Sequence, residues 1–96
     1  MSIPFIPIDH DVLARQIGRV NVLAISGGRG TLRPTGITMP VRYGYSVTVD
    51  LAANDTYTVR RVFARGGKSW IKKEWTDVHA GEVGDVAYIA SCYLDA

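Results

Sequence analysis

Residues 45–51 alternate strictly between apolar and polar side chains, and this alternation constrains the fold more than any other feature of the sequence. Four apolar positions alternate with three polar ones: Tyr45, Val47, Val49 and Leu51 against Ser46, Thr48 and Asp50. Because successive side chains of a β-strand point to opposite faces of a sheet, the pattern predicts a strand with one buried face and one wet face. Such strands are typical of antiparallel sheets. We therefore predict a strand over residues 43–51 in an antiparallel sheet.

A pair of glycines, Gly66 and Gly67, separates two further segments that resemble strands, residues 57–65 and 69–75. Paired glycines supply the positive φ angles of a two-residue hairpin turn. Such a turn places Phe63 opposite Trp70. It also places three like-charged pairs opposite one another: Arg65–Lys68, Arg61–Lys72 and Arg60–Lys73. Because like charges directly opposite destabilise a sheet, this hairpin requires an acidic neighbour, the C-terminal helix or a bound anion nearby.

Helical patterns flank these strands. Asp9 is a candidate N-cap for a short helix that Gly18 ends, and Thr76 or Asp77 is a candidate N-cap for a helix over about residues 79–94. Residues 20–25 are rich in β-branched side chains and predict a strand, whereas prolines make residues 37–42 an edge strand at best. The sequence predicts an α+β fold, in which a short N-terminal helix and a longer C-terminal helix pack on an antiparallel sheet of four to five strands.

The chain has 96 residues, which is the size of one domain. Residues 1–8 are apolar and contain two prolines, so we interpret them as an extended arm before a single domain over residues 9–96. One cysteine, Cys92, excludes an internal disulfide and a Cys-rich zinc site, which fits a reducing cytoplasm. The N-terminus lacks the basic segment of a signal peptide, and no apolar run approaches the ~20 residues that span a bilayer. We expect a cytoplasmic protein without a membrane partner.

Charge is distributed unevenly along the chain. The formal net charge is +2, yet all eleven Lys and Arg residues lie between Arg15 and Lys73, where only Asp50 and Asp55 oppose them. That span therefore carries +9, and both ends of the chain are acidic. A basic middle predicts a surface for an anionic partner. The alternative is that the acidic ends fold back on the basic middle and neutralise it.

Aromatic and basic side chains share one face of the predicted hairpin. This set consists of Phe63, Trp70, Arg61, Arg65, Lys68 and Lys72. Nucleic acid suits such a face because bases stack on rings while cations hold phosphates. The alternative is that the rings belong to the core and the charged groups extend past them into water. We expect a non-catalytic module that binds nucleic acid or another acidic macromolecule through Arg61, Arg65, Lys68, Trp70 and Lys72.

The apolar arm supports a second hypothesis, a protein-interaction module. An extended arm can add a strand to the sheet edge of another chain. Phe5, Ile6 and Ile8 are then the candidate interface, together with the proline-marked edge near residues 37–41. The partner under this hypothesis is a bacterial host protein or a second copy of the chain.

No motif indicates catalysis or a bound cofactor. Gly67-Lys68-Ser69 resembles the end of a phosphate-binding loop, but Val62 occupies the position where that motif requires its first glycine. His10, His79 and Cys92 lack the spacing of metal ligands. His79 with Cys92 is the one pairing of a base and a nucleophile that remains open. We expect no enzyme activity, no metal and no cofactor.

Several short segments resemble a group of small uncharacterised proteins encoded by bacteriophages and other mobile elements. They are Gln16-Ile17-Gly18, residues 24–29, Met39-Pro40, Tyr43, residues 47–51, residues 55–61 and Gly67-Lys68. These segments span about residues 14–74. The resemblance implies a short α+β domain that acts as a phage-type accessory protein in a bacterial cytoplasm, and it implies no particular activity.

Overall fold

Five antiparallel strands form one sheet, and each strand pairs with the next one along the chain. The computed structural model describes residues 4–93. In chain order the elements are α1 (His10–Ile17), α2 (Arg19–Ser26), β1 (Thr31–Arg33), β2 (Gly36–Pro40), β3 (Tyr45–Leu51), β4 (Tyr57–Arg65), β5 (Lys68–Val78) and α3 (Val83–Cys92). The predicted α+β class is confirmed, with an antiparallel sheet, short helices near the N-terminus and a longer helix at the C-terminus.

One face of the sheet, which we call the helix-covered face, carries the hydrophobic core. The helices contribute Leu13 and Ile17 from α1, Ile25 from α2, and Val83, Ala87 and Ala90 from α3. The strands contribute Met39, Val47, Val49, Tyr57, Val59 and Val78. The buried face predicted for β3 is confirmed, because Val47 and Val49 are fully buried in this core. The polar residues lie on the opposite face, but that face is not wet throughout, because Asp50 is 2% exposed and Ser46 and Thr48 are half-buried.

The first helix forms as the capping pattern predicts. Oδ1 of Asp9 accepts hydrogen bonds from the backbone N–H groups of Asp11 (2.9 Å) and Val12 (3.4 Å), which satisfies donors that have no partner inside the helix. At the other end Gly18 has a φ of 92°, a conformation that glycine adopts without a steric penalty. Gly18 therefore ends α1, and the chain enters α2 at Arg19.

The strand predicted for residues 20–25 is wrong, because these residues belong to helix α2. Ile25 is buried and Val22 packs against the core, as expected of one side of a helix. Val20 and Leu23 lie on the solvent side, so apolar residues occur on both sides of the helix and hide its period of 3.6 residues. β-branched residues then favour a strand only through intrinsic propensity, which tertiary packing overrides.

The edge strand predicted for residues 37–42 is also wrong. β2 lies between β1 and β3, and Gly36, Ile37 and Thr38 pair with residues on both neighbours. Pro40 is the last residue of β2, so its missing N–H removes no hydrogen bond from the interior of the strand. The short strand β1, which covers this side of β2, carries no strong strand pattern of its own.

The C-terminal helix begins later than the sequence predicts. Thr76 and Asp77 do not cap a helix, because β5 continues through them to Val78, which pairs with Tyr57. A register shift between Tyr57 and Val59 accommodates the extra residue, and Asp77 adopts a φ of 55° there. α3 starts at Val83 with Glu82 as its N-cap. The predicted end at residue 94 lies outside the described residues.

The described part of the N-terminal arm, residues 4–8, pairs with the chain's own backbone. Ile6 donates from its N–H to the carbonyl of Leu51 (2.9 Å), and Ala53 donates to the carbonyl of Pro4 (2.9 Å). Ile8 donates to the carbonyl of Pro34 (3.0 Å) and packs against the core. Within residues 4–93, no helix is long and apolar enough to cross a membrane.

Candidate nucleic-acid interface

Three aromatic side chains form a row across the strands β3, β4 and β5, which we call the ring row. Tyr45 pairs with Phe63, and Phe63 pairs with Trp70, so the alternation places all three on the helix-covered face. The ring centroids of Tyr45 and Phe63 are 4.9 Å apart, and those of Phe63 and Trp70 are 5.9 Å apart with planes inclined by 25°. Tyr45 and Phe63 are half-buried, and Trp70 is 48% exposed.

Arg61 lies in the next row of the same face, where helix α3 ends. Its Nη1 donates hydrogen bonds to the backbone carbonyls of Ala90 (3.0 Å) and Ser91 (3.1 Å). The last carbonyls of a helix lack partners within the helix and carry its partial negative charge, so a buried guanidinium is a favourable cap for them. Its Cζ also lies 4.1 Å from the centroid of the Tyr45 ring.

This position changes the role of Arg61. The sequence places it in the contact set for nucleic acid, but the structure leaves the residue only 8% exposed. Its charge is directed to the end of α3 rather than to solvent. Arg61 therefore packs against the ring of Tyr45 and is not itself part of the exposed surface.

The pairing of β4 with β5 contains a bulge that the sequence did not predict. The register of the Gly66–Gly67 turn holds as predicted from Arg65–Lys68 to Val62–Ile71 and then shifts between Val62 and Arg61. Arg61 consequently pairs with Lys73, and Arg60 pairs with Glu74. The predicted pairs Arg61–Lys72 and Arg60–Lys73 are wrong, because Lys72 is the extra residue of the bulge.

The bulge relieves most of the charge conflict in this hairpin. Arg60 gains an acidic partner, since its Nε lies 2.6 Å from Oε2 of Glu74. The charge of Arg61 is offset by the end of α3, and Nζ of Lys73 lies 5.7 Å from the centroid of the Tyr93 ring. Of the three offsets that the sequence suggested, an acidic neighbour and the C-terminal helix are both present.

The remaining predicted contact residues are exposed on β4 and β5 between the hairpin turn and the bulge. Arg65 and Lys68 flank the turn, and alternation places them on the same face as Phe63 and Trp70. Lys72 is exposed in the bulge, two residues beyond Trp70. The structure thus places Arg65 and Lys68 on the face of the ring row beside the turn, with Lys72 two residues from Trp70 along β5. Within the described chain, this group of exposed cations beside an exposed aromatic ring is the strongest candidate for a binding site.

The turn between β2 and β3 adds two residues that the sequence analysis missed. Arg42 and Tyr43 are both exposed, and the carbonyl of Arg42 accepts a hydrogen bond of 3.1 Å from the N–H of Tyr45, the first ring of the row. Tyr43 has a φ of 60°, an uncommon conformation for an aromatic residue. The strand predicted from residue 43 therefore begins at Tyr45, because Tyr43 and Gly44 form a tight turn whose sequence signal is Gly44.

A cleft of about 410 Å³ lies between this turn and the end of α2, and Arg29 and Arg42 both line it. Three successive amides of the glycine loop after α2 are used within the chain. Gly27 and Gly28 donate to the carbonyls of Leu23 and Val22, and Arg29 donates to that of Ser26. An anion in this cleft would therefore meet two guanidinium groups and not a concave row of free backbone N–H groups.

Acidic residues lie away from the ring row in the described part of the chain. Asp55 and Asp77 are at the opposite end of β4 and β5 from the Gly66–Gly67 turn. Glu82 and Asp85 are at the opposite end of α3 from Arg61. Asp50 is bound by Arg33, whose Nη1 lies 2.7 Å from Oδ1. Glu74, the first acidic residue after the basic middle, lies on β5 and neutralises Arg60. Within residues 4–93, the charge separation of the sequence thus persists only in part.

The predicted protein interface, Phe5, Ile6 and Ile8, is engaged within the chain. The three side chains are half-buried, and the N–H groups of Ile6 and Ile8 donate to the chain's own carbonyls. The ring of Phe5 lies under the guanidinium of Arg60, with 5.1 Å between its centroid and Cζ. In the described part of the arm, the N–H groups of Ile6 and Ile8 are therefore not free for strand addition to another chain.

The described residues form no cluster of three or more His, Cys, Asp or Glu side chains that could hold a metal ion. Cys92 is exposed at the end of α3, and its Sγ lies 3.5 Å from Oγ of Ser91.

Comparisons of the chain with protein-family models, with curated proteins and with solved structures find no match. The resemblance to phage-encoded proteins therefore stays a prediction.

Proposed function

We propose that this protein is a non-catalytic module that binds nucleic acid through the ring row and the cations around it. The observation that carries the proposal is the placement of Phe63 and Trp70 on adjacent strands, with Arg65 and Lys68 beside the turn on the same face and Lys72 exposed two residues beyond Trp70. We place its action in the cytoplasm of a bacterial host, as an accessory protein of a phage or mobile element. That setting rests on the single cysteine and on the resemblance of residues 14–74.

Stacking supplies the first part of the interaction. A base that stacks on an aromatic side chain contributes about 1–3 kcal/mol, and any base can do so because each has a flat π-face. Trp70 is the most exposed ring of the row, and Phe63 continues it toward β3. Stacked bases must be free of their own neighbours, so the ring row suits a single strand better than a duplex.

Phosphate contacts supply the second part. Arg65, Lys68 and Lys72 are the exposed cations beside the rings, and the guanidinium groups of Arg42 and Arg29 extend the basic surface past Tyr45 to the neighbouring cleft. Such contacts release counterions from the nucleic acid, so the affinity depends steeply on salt and little on sequence. Arg61 stays outside the contact set and holds the sheet and α3 together beneath it.

The proposal is tested by titrating the protein into fluorescently labelled single-stranded and double-stranded DNA and RNA and measuring anisotropy across a salt series. We expect the single strands to bind more tightly, with an affinity that falls linearly on a double-logarithmic plot against salt. Lys68→Gln should weaken binding and lower the slope by about 0.7, the value for one phosphate contact on a single strand.

Arg15→Gln is the matched control for this experiment, because it removes the same charge from an exposed position on α1. It should leave the slope unchanged. Absence of binding to any of the four nucleic acids at about 50 mM salt would overturn the proposal. Equal effects of Lys68→Gln and Arg15→Gln would show that net charge, and not the ring row, attracts the nucleic acid.

A further inference from the structure

Helix α2 exposes apolar side chains on its solvent side. Val20 is 79% exposed and Leu23 is 55% exposed, and their spacing of three residues places them on one side of the helix. A surface helix normally turns polar residues to water, and a helix with large apolar side chains on its outer side as well is normally covered there. Ile25 and Val22 already face the core, so the outer side of α2 lacks a cover within the described chain.

A groove beside these residues runs between α1 and α2. It has a volume of about 640 Å³ and is lined by Ala14, Arg15, Arg19, Val22, Leu23 and Gly28. Its floor is apolar, and its only charged side chains are the two arginines. A complementary surface must therefore combine apolar groups with negative charge.

Helix α3 carries such a surface. Tyr88 is 45% exposed and Ile89 is 52% exposed, and Asp85 lies three and four residues before them on the same side of the helix. Glu82 precedes this stripe by one further turn and is exposed. No Lys or Arg occurs in the sequence after Lys73, so the stripe is apolar and acidic.

The two stripes face the same way because α2 and α3 are neighbours in one helical layer. The helices approach so closely at Gly84 that an added Cβ would lie 2.3 Å from the carbonyl oxygen of Ile17 and 2.6 Å from Nδ2 of Asn21. Both helices bury their inner sides in the core of the same sheet face. Their outer sides therefore form one surface, basic and apolar on α2, acidic and apolar on α3.

We propose that this helical layer binds a second copy of the chain around a two-fold axis. α2 of each copy packs against α3 of the other, Val20 and Leu23 meet Tyr88 and Ile89, and Arg19 faces Asp85. A two-fold arrangement makes each contact twice and closes on itself, so it gives a dimer and not a filament. The layer contains no residue of the ring row, and it meets the proposed nucleic-acid surface only at Leu23, which also lines the cleft of Arg29 and Arg42.

The chain itself supplies both halves of this complementarity, which favours a second copy as the occupant. A stable interface buries about 800 Å² on each partner. The total accessible surface of the chain is 6129 Å², and its two longest extents are 33 and 31 Å, so one layer of three helices is large enough. Opposite charges at the rim of an apolar patch fix the register of such an interface.

Sedimentation velocity over a concentration series up to near-millimolar protein tests the proposal. The wild type should sediment as a dimer of twice 10.5 kDa. Arg19→Glu and Asp85→Lys should each weaken dimerisation at least tenfold, and the double variant should recover it, because the reversed charges pair again. Circular dichroism checks that each variant remains folded.

Ile71→Asn is the control, since Ile71 is 55% exposed on the sheet face opposite the helices. It should leave the dimer unchanged, whereas Leu23→Asn should weaken it. A wild type that stays monomeric throughout the series would overturn the proposal. Failure of the double charge reversal to recover dimerisation would overturn the pairing of α2 with α3. Neither result bears on the binding of single strands, which anisotropy measures separately.

Discussion

Nη1 of Arg61 donates a hydrogen bond of 3.0 Å to the backbone carbonyl of Ala90, and this contact joins the middle of strand β4 to the end of helix α3. The same nitrogen reaches the carbonyl of Ser91 at 3.1 Å. A charge-assisted hydrogen bond in a buried place is stronger than a neutral one and costs more to lose. The residue that the sequence assigns to a ligand is thus a structural link between the two layers of the fold.

Replacement of Arg61 by methionine should destabilise the protein by about 2–4 kcal/mol, because two carbonyls at the end of α3 lose a charged donor while the aliphatic volume is kept. Urea denaturation followed by circular dichroism measures this change. Arg65→Met, which removes an exposed arginine from the turn, should stay within about 0.5 kcal/mol of the wild type. Equal losses in the two variants would contradict the structural role of Arg61.

Gly84 should not tolerate a methyl group. A Cβ there would lie 2.3 Å from the carbonyl oxygen of Ile17, a backbone atom that cannot move aside cheaply. Gly84→Ala should therefore separate α3 from the α1–α2 junction and cost about 1–3 kcal/mol or more. Thermal denaturation compares it with Gly81→Ala, whose added Cβ meets nothing within 4 Å.

Gly81→Ala should be neutral or stabilise the fold by up to about 1 kcal/mol, because it restricts the unfolded chain without a clash. The two variants differ only in the position of one methyl group. A destabilisation of Gly81→Ala as large as that of Gly84→Ala would mean that the close packing of α3 on α1 and α2 is not the cause.

The protein should lose stability in alkaline solution through Tyr57. Burial raises the pKa of its phenol above the ordinary value of 10.0, and the negative charge of Asp55 raises it further. The unfolded chain therefore releases this proton at a lower pH than the folded one. Stability from this group is complete below pH 10.0 and falls as the pH rises from there through the raised pKa.

Tyr57→Phe should flatten this decline, as measured by urea denaturation at several pH values on both sides of the ordinary tyrosine pKa. The variant should be less stable than the wild type near neutral pH by about 1 kcal/mol, because Oε1 of Gln16 loses the phenol as a donor. An identical alkaline decline in both proteins would show that other groups cause it.

Much of the sheet was predictable because its signals are local. The alternation of residues 45–51 and the glycines Gly66 and Gly67 depend only on neighbouring side chains and on φ, so β3, β4 and the turn after β4 follow from them. The bulge at Lys72 carries no such signal. The bulge goes with two contacts that only the folded chain brings together. Arg60 pairs with Glu74, and Arg61 binds the end of α3.

Helix α2 was not predictable for a different reason. Val20 and Leu23 fill the side of the helix where polar residues would have revealed its period, so the segment resembles a buried strand. The same two residues form the apolar stripe of the helical layer. Within the candidate site, the sequence placed Trp70, Arg65, Lys68 and Lys72 together but had no means to show that Arg61 turns inward toward Ala90.

The most direct measurement of nucleic-acid binding uses the fluorescence of Trp70. The chain has two tryptophans, so Trp75→Phe leaves Trp70 as the only one, and Trp75 packs edge-on against Tyr93 away from the ring row. Addition of a single-stranded oligonucleotide at about 50 mM salt should quench the emission of Trp70, and high salt should restore it. Emission that stays unchanged at every oligonucleotide concentration would contradict the role of the ring row.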